Sequence, residues 1–137
     1  MTGGDPYFRT GTDVALLFEA KSQKALRGLL ETQIAASSAS VPGLQRSRGT
    51  LSGVDFLVFR SEDRQVCSYL ASLDDRVLAV TNSQPLLKRL IQTRQSKLAA
   101  LDSLDEYTFF RQRYPLDGPD ESALLIVSDP AIRRWCA

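Results

Sequence analysis

The amino-acid sequence predicts an α+β fold, a mainly antiparallel sheet with helices packed on one face. Four short runs that are apolar or alternating, separated by turn residues, follow one another between positions 44 and 81, as in a meander of strands. Two other stretches, 21–38 and 82–101, carry leucines at helical spacing. The predicted order of elements is typical of α+β domains. It is a strand, a helix, a meander of strands, two helices, a strand and a helix.

The first part of the chain contains a lead-in, a strand and a helix. Positions 1–12 are polar and rich in Gly and Thr, which predicts an extended lead-in. Positions 13–20 form an apolar run after turn signals, which indicates a strand. Ser22 is the expected N-cap of the helix that follows. The apolar stripe of that helix comprises Leu26, Leu29, Leu30 and Ile34.

The meander consists of four predicted strands. Positions 44–51 alternate weakly and suit an edge strand, whereas 54–59 is apolar on both faces and suits a central strand. A hairpin follows, with strands at 66–73 and 76–81 that a two-residue acidic turn connects.

Helical spacing resumes after the hairpin. Asn82 or Ser83 is the expected N-cap, and Pro85 sits in the first turn, where its missing N–H is harmless. We expect this helix to break near Gln95 and Ser96. Its buried stripe is expected to comprise Leu86, Leu87, Leu90, Ile91, Leu98 and Leu101.

A second helix is predicted from a capping box. Ser103 and Glu106 match the Ser-x-x-Glu pattern just before an aromatic run, and Pro115 ends the helix. Beyond it, 122–127 is a short apolar run that predicts a strand, and 131–137 begins a last helix. The aromatic residues on or near one face of the second helix are Tyr107, Phe110 and Tyr114.

Length and the C-terminal pattern bear on domain organisation. A chain of 137 residues is long enough for one domain with a sizeable core. The last predicted helix stops after about two turns without a C-cap glycine. We therefore expect a single domain, 1–137, that is a fragment or module of a longer protein.

Composition excludes several classes of function. The net charge is +1, so no overall field attracts nucleic acid or a membrane surface. The absence of histidine removes histidine-based triads and histidine-containing metal sites. Neither a glycine-rich phosphate loop nor the Gly-x-Ser-x-Gly elbow of hydrolases occurs, and we predict no cofactor, no metal and no assigned catalytic residue.

Two features of the sequence bear on location. No apolar run approaches the roughly 20 residues of a membrane span. The N-terminal stretch lacks the pattern of a signal peptide. The expected location is cytoplasmic by default, with envelope association left open through a parent protein.

An enzymatic role would have to use carboxylates or Cys67. The carboxylates concentrate at turns and helix starts, where they are favoured for structural reasons. Cys67 and Cys136 do not form a Cys-x-x-Cys pair, which argues against a structural zinc site. One alternative is that the two cysteines are separate buried thiols. The other is that they form a disulfide, which would require the last helix to pack beside the Cys67 strand.

The strongest local feature is a basic and aromatic stretch between positions 76 and 114, in which basic residues outnumber acidic ones. Basic side chains beside exposed aromatic rings suit single-stranded nucleic acid or another polyanion. The alternative places the rings in the core and makes the basic residues a solvated helix face. The candidate binding residues are Lys88, Arg89, Arg94, Lys97, Arg111 and Arg113.

Several segments resemble a family of large, uncharacterised bacterial proteins described only as a domain of unknown function. They are the VTNS end of a strand, the EYTFFRQRYP helix and the SDPAIRRWC segment. The lead-in DPYFRTGTDVALLFEA is similar to the same family. The resemblance implies a module of a multi-domain protein with some envelope-associated relatives, and it implies no catalytic residue, cofactor or substrate.

These observations favour a non-enzymatic structural or interaction module of a larger bacterial protein. Its sheet or aromatic helix would pack against other domains of its own parent chain or against a partner. Two alternatives stay open. One is polyanion or single-stranded nucleic-acid binding through the 76–114 face, and the other is part of an enzyme that uses carboxylates or Cys67.

Overall fold

The computed structural model describes most of the chain. Two sequence-based predictions lie outside the described residues: the strand at 122–127 and most of the last helix. Within that helix, Ile132 and Arg133 are described and are helical. The described residues are 2–3, 12–38, 41–64, 66–115 and 132–133.

Six strands of the described chain form a single sheet. They are β1 (Thr2–Gly3), β2 (Val14–Glu19), β3 (Gln45–Leu51), β4 (Val54–Arg60), β5 (Cys67–Ser72) and β6 (Val77–Thr81). The spatial order is β1-β2-β6-β5-β4-β3, and every neighbouring pair is antiparallel. The predicted α+β class, the antiparallel sheet and the meander are thus confirmed.

Three α-helices accompany the sheet in the described part of the chain. Helix α1 (Gln23–Ser38) connects β2 to β3, and α2 (Gln84–Arg94) follows β6. A 3-10 turn at Leu101–Ser103 leads into α3 (Asp105–Arg113). The C-cap of α2 is Gln95, which confirms the predicted break.

The central strand β4 supplies side chains to both faces of the sheet, because successive residues of a strand point to opposite sides. Phe56 is 6% exposed and Leu57 is 2% exposed, so both faces are buried here. Leu57 packs with Leu70 and Leu78. Leu29, one member of the predicted helical stripe, is 57% exposed. The α1 residues that cover the Leu57 face are Leu26, Leu30 and Ile34.

The opposite face of the sheet is covered by α2. Phe56 and Ala71 form a buried cluster with Leu87 and Ile91 of α2. The two helices therefore lie on opposite faces, which differs from the expected packing on one face. The reason is that β4 and β5 carry apolar side chains on both sides, and each side needs cover from water.

The β3–β4 hairpin depends on two unusual backbone positions. Ser52 and Gly53 join the strands with φ angles of 52° and 80°. Positive φ at both central residues is the geometry of a type I′ turn, which matches the twist of the strands. Nearby, Gly49 is paired with Phe56, and a Cβ at position 49 would lie 2.6 Å from the ring. Glycine thus lets the Phe56 ring lie over the edge strand.

Asp74 ties the β5–β6 turn to both flanking helices. Its Oδ1 accepts the backbone N–H groups of Arg76 and Val77, at 2.7 Å each. Its Oδ2 forms an ion pair with Arg94 of α2 at 2.5 Å, and its backbone oxygen accepts the Nε2–H of Gln23 of α1 at 2.6 Å. The N–H groups of Arg76 and Val77, and then the Arg94 guanidinium, hold the pKa of Asp74 below its usual value against the effect of burial.

Replacing Asp74 with asparagine is expected to lower the free energy of unfolding at neutral pH by about 1–3 kcal/mol, because a charged acceptor of several donors is lost. Folding lowers the pKa of Asp74, so its contribution is complete above the unfolded pKa and disappears as pH falls through the folded pKa. The difference between variant and wild type should therefore shrink in acid. Urea unfolding at several pH values measures it.

Asp75→Asn is the matched control for this prediction. Asp75 is exposed in the same turn, so its replacement removes the same charge without the same contacts. If the Asp74→Asn protein were as stable as the Asp75→Asn protein at neutral pH, the role assigned to Asp74 would be wrong.

Candidate functional site

The Val-Thr-Asn-Ser junction holds the start of β2 against the end of β6. The hydroxyl of Thr81 donates to the backbone oxygen of Val14 at 2.7 Å. The side chain of Asn82 accepts the N–H of Val14 at 2.8 Å and donates from Nδ2 to the backbone oxygen of Thr12 at 2.8 Å. The side-chain amide of Asn82 thus bonds to Thr12 and Val14, which are both distant from it in the sequence.

Ser83 is the N-cap of α2, which decides between the two predicted candidates. Its Oγ accepts the N–H of Leu86 at 3.3 Å, and its own N–H donates to the Thr81 hydroxyl at 3.2 Å. Pro85 lies in the first turn, as predicted. The polar side chains of this motif are therefore engaged in holding the fold together.

The chain leaves the hydrophobic core after α2. Leu86, Leu87 and Ile91 are buried in α2. Leu98 and Leu101 are 42% and 50% exposed, although the predicted stripe included both. Helix α2 ends before these residues, with its C-cap at Gln95, so helical spacing no longer predicts burial there.

Helix α3 begins without the predicted capping box. Its N-cap is Leu104, which provides no side-chain hydrogen bond. Ser103 belongs to the preceding 3-10 turn, and its hydroxyl donates to the backbone oxygen of Ala100 at 2.7 Å. The capping-box prediction is wrong because this hydroxyl bonds within its own turn and the helix starts one residue later than the box requires.

Helix α3 has no buried residue. Phe109 is 64% exposed and Phe110 is 43% exposed, and their rings meet nearly edge to face with centroids 5.6 Å apart. Phe109 and Phe110 therefore lie outside the core, contrary to the alternative that placed the rings inside it. We define the aromatic surface as Leu101, Leu104, Phe109, Phe110 and Tyr114, which are all exposed.

An open groove of about 770 Å³ borders this region. Its apolar lining includes Leu17 of β2, Leu73 after β5, Leu90 of α2 and Leu98. The groove also reaches Ser103 of the 3-10 turn. Apolar surface is therefore accessible along the path from the sheet to the start of α3.

The structure distributes the predicted basic residues over α2, α3 and the segment after α2. Lys88 and Arg89 are exposed on α2. Arg94 is paired with Asp74, and Lys97 donates from Nζ to the side-chain oxygen of a nearby glutamine at 2.8 Å. Part of the predicted set is thus engaged in contacts within the chain.

Helix α3 carries opposite charges at its two ends. Asp105 and Glu106 occupy its first turn, and Arg111 and Arg113 occupy its last turn. The Arg111 guanidinium lies 5.6 Å from the centre of the Tyr107 ring. Acidic residues at the start and basic residues at the end complement the helix dipole.

Cys67, the candidate nucleophile, lies on β5 as a half-buried free thiol. Its predicted alternative partner, Cys136, lies outside the described residues. Within the described ranges, no group of three or more acidic or cysteine side chains is placed to hold a metal ion. No helix in that same part of the chain is long and apolar enough to cross a membrane.

Comparison with known proteins gives no match to this chain among family models, curated proteins or solved structures. The resemblance of three segments to a family of large bacterial proteins stays a prediction. The function is therefore argued from geometry.

Replacing Asn82 with alanine should release the start of β2, because both hydrogen bonds of the amide are lost. We expect the free energy of unfolding to fall by about 1–2 kcal/mol and hydrogen exchange at the Val14 N–H to accelerate about tenfold. Gln84→Ala is the control, since Gln84 is exposed at the first residue of α2. Unchanged exchange at Val14 in the Asn82 variant would contradict the bridging role.

Proposed function

We propose that this chain is a non-enzymatic interaction domain whose contact surface is the aromatic surface. The observation that carries the proposal is the exposure of Phe109, at 64%, within a run of large apolar side chains. The rings of Phe109 and Phe110 touch, so their exposed area is continuous. Exposed apolar patches on folded domains are typical of sites where another surface binds, because burying them removes apolar area from water. Helix α3 itself packs against the 3-10 turn that precedes it.

The charge order of α3 indicates the chemistry of the partner. A helix with acidic residues first and basic residues last, lying antiparallel to α3, would place opposite charges together at both ends. A second copy of α3 has this order. We therefore propose an isologous contact in which the α3 helices of two chains pack antiparallel through the aromatic surface.

The arrangement of basic residues favours this contact over polyanion binding. Grooves for single-stranded nucleic acid combine a continuous basic track with rings on which bases stack. Here Arg94 is neutralised by Asp74, and Asp105 and Glu106 stand at the start of the aromatic helix. The acidic turn would repel a phosphate backbone that followed α3.

Replacing both Phe109 and Phe110 with serine should weaken self-association at least tenfold, because the two rings lose their apolar contact. One helix face is smaller than the standard contact of about 800 Å² per partner. The wild-type dissociation constant is therefore expected between roughly micromolar and millimolar. Sedimentation velocity over a range of chain concentrations measures the association.

Leu29→Ser is the matched control, because Leu29 is a large apolar residue that is 57% exposed on α1. It should leave the association unchanged. Two results would contradict the contact between copies. One is a wild-type chain that stays monomeric up to millimolar concentration, and the other is a control that dissociates as readily as the double variant. Another domain of the parent chain would then become the favoured occupant of the aromatic surface.

A further inference from the structure

A cavity of about 530 Å³ opens where the β4–β5 hairpin meets the start of α2. Its volume is within the range of about 300–1,000 Å³ usual for small-molecule sites. It is formed by residues of the hairpin, of the first turn of α2 and of the segment before β2. These segments are distant in sequence, so the cavity exists because the sheet and α2 bring them together.

The strand register places three side chains of the cavity side by side. Arg60 of β4 is paired with Cys67 of β5, and Tyr69 lies two residues further along β5 on the same face. The Tyr69 ring lies 6.0 Å from the ring of Phe56, which belongs to the cluster under α2. Arg64 joins the cavity from the hairpin loop, where its φ angle is 58°, a conformation uncommon for a residue with a side chain.

The described lining of the cavity carries a net positive charge, because the exposed side chains of Arg60 and Arg64 outnumber its one carboxylate. The same two arginines also line a neighbouring hollow together with Glu62. Neither Arg60 nor Arg64 forms an ion pair with another residue that the structure describes. Asp63 of the same loop accepts the hydroxyl of Ser61 at 2.5 Å. Asp13 is the one carboxylate among the described lining residues. The first turn of α2 adds the positive end of a helix dipole.

Tyr69 adds a neutral hydrogen-bond donor to the two cations. Burial raises the pKa of its phenol, and the neighbouring Cys67 raises it further, while Arg60 and Arg64 act in the opposite direction. The phenol therefore keeps its proton at neutral pH. Its hydroxyl is hydrogen-bonded to Cys67, so it would donate to a ligand in exchange for that partner. Guanidinium groups present parallel N–H donors that match the spacing of phosphate oxygens.

We infer that this cavity binds the phosphate group of a small molecule, held between Arg60 and Arg64 with the Tyr69 hydroxyl as a further donor. Two cations favour a dianion over a singly charged carboxylate. This site is separate from the aromatic surface and from the basic residues of the 76–114 stretch. It therefore stands whether or not two copies of the chain associate.

Titration of the full chain with inorganic phosphate at constant ionic strength tests this inference, with backbone N–H shifts as the signal. We expect saturable shifts at Gln84 and Tyr69. Changing both Arg60 and Arg64 to glutamine should weaken phosphate binding at least tenfold. Arg48→Gln removes the same kind of charge from the exposed edge strand β3 and should change nothing. Acetate should bind at least tenfold more weakly than phosphate.

Alkylation of Cys67 by iodoacetamide, followed by peptide mass spectrometry, gives an independent readout. Phosphate should slow this reaction in the wild type and in Arg48→Gln, and should have no effect in the double arginine variant. Two outcomes would show that phosphate acts as a screening ion only and would overturn the inference. One is N–H shifts that do not saturate, and the other is phosphate binding that the control and the double variant weaken equally. Acetate binding as tight as phosphate binding would overturn the preference for a dianion.

Discussion

Burial of β4 and β5 on both sides constrains the position of every helix that packs on the sheet. Phe56 and Leu57 point to opposite faces, so no single helix can keep both from water. Helix α1 crosses one face between β2 and β3, and α2 crosses the other face after β6. Helix α2 is therefore held across the sheet. The positive cavity lies at its first turn, and the groove that borders the aromatic surface lies at its last turn.

Helix α2 separates the cavity from the point where the chain leaves toward α3. It has 11 residues, which corresponds to about 16 Å along its axis. The positive cavity lies at its N-terminal end, where Ser83 caps the helix. The segment that leads to α3 leaves from its C-terminal end, beyond Gln95. The cavity and the groove that borders the aromatic surface share no described lining residue.

Local patterns predicted the elements of the fold but not all of their surroundings. Strand alternation and leucine spacing located the meander, α1 and α2. These patterns predict an element because its buried side chains recur with the period of a strand or a helix. The capping box failed because the Ser103 hydroxyl has a competing acceptor, the backbone oxygen of Ala100. The exposure of Phe109 was not predictable, since it depends on the direction that the chain takes after α2. Arg60 and Arg64 were missed because strand register, not sequence spacing, brings them to the start of α2.

The central claim is that the aromatic surface is a contact surface between two copies of the chain. Isotope-filtered NMR on an equal mixture of labelled and unlabelled chain tests it most directly, because it detects only contacts between molecules. Our account predicts intermolecular signals between the rings of Phe109 and Phe110 on different copies, together with signals that join residue 105 to residue 113 across an antiparallel pair. No intermolecular signal from these rings at millimolar concentration would contradict it.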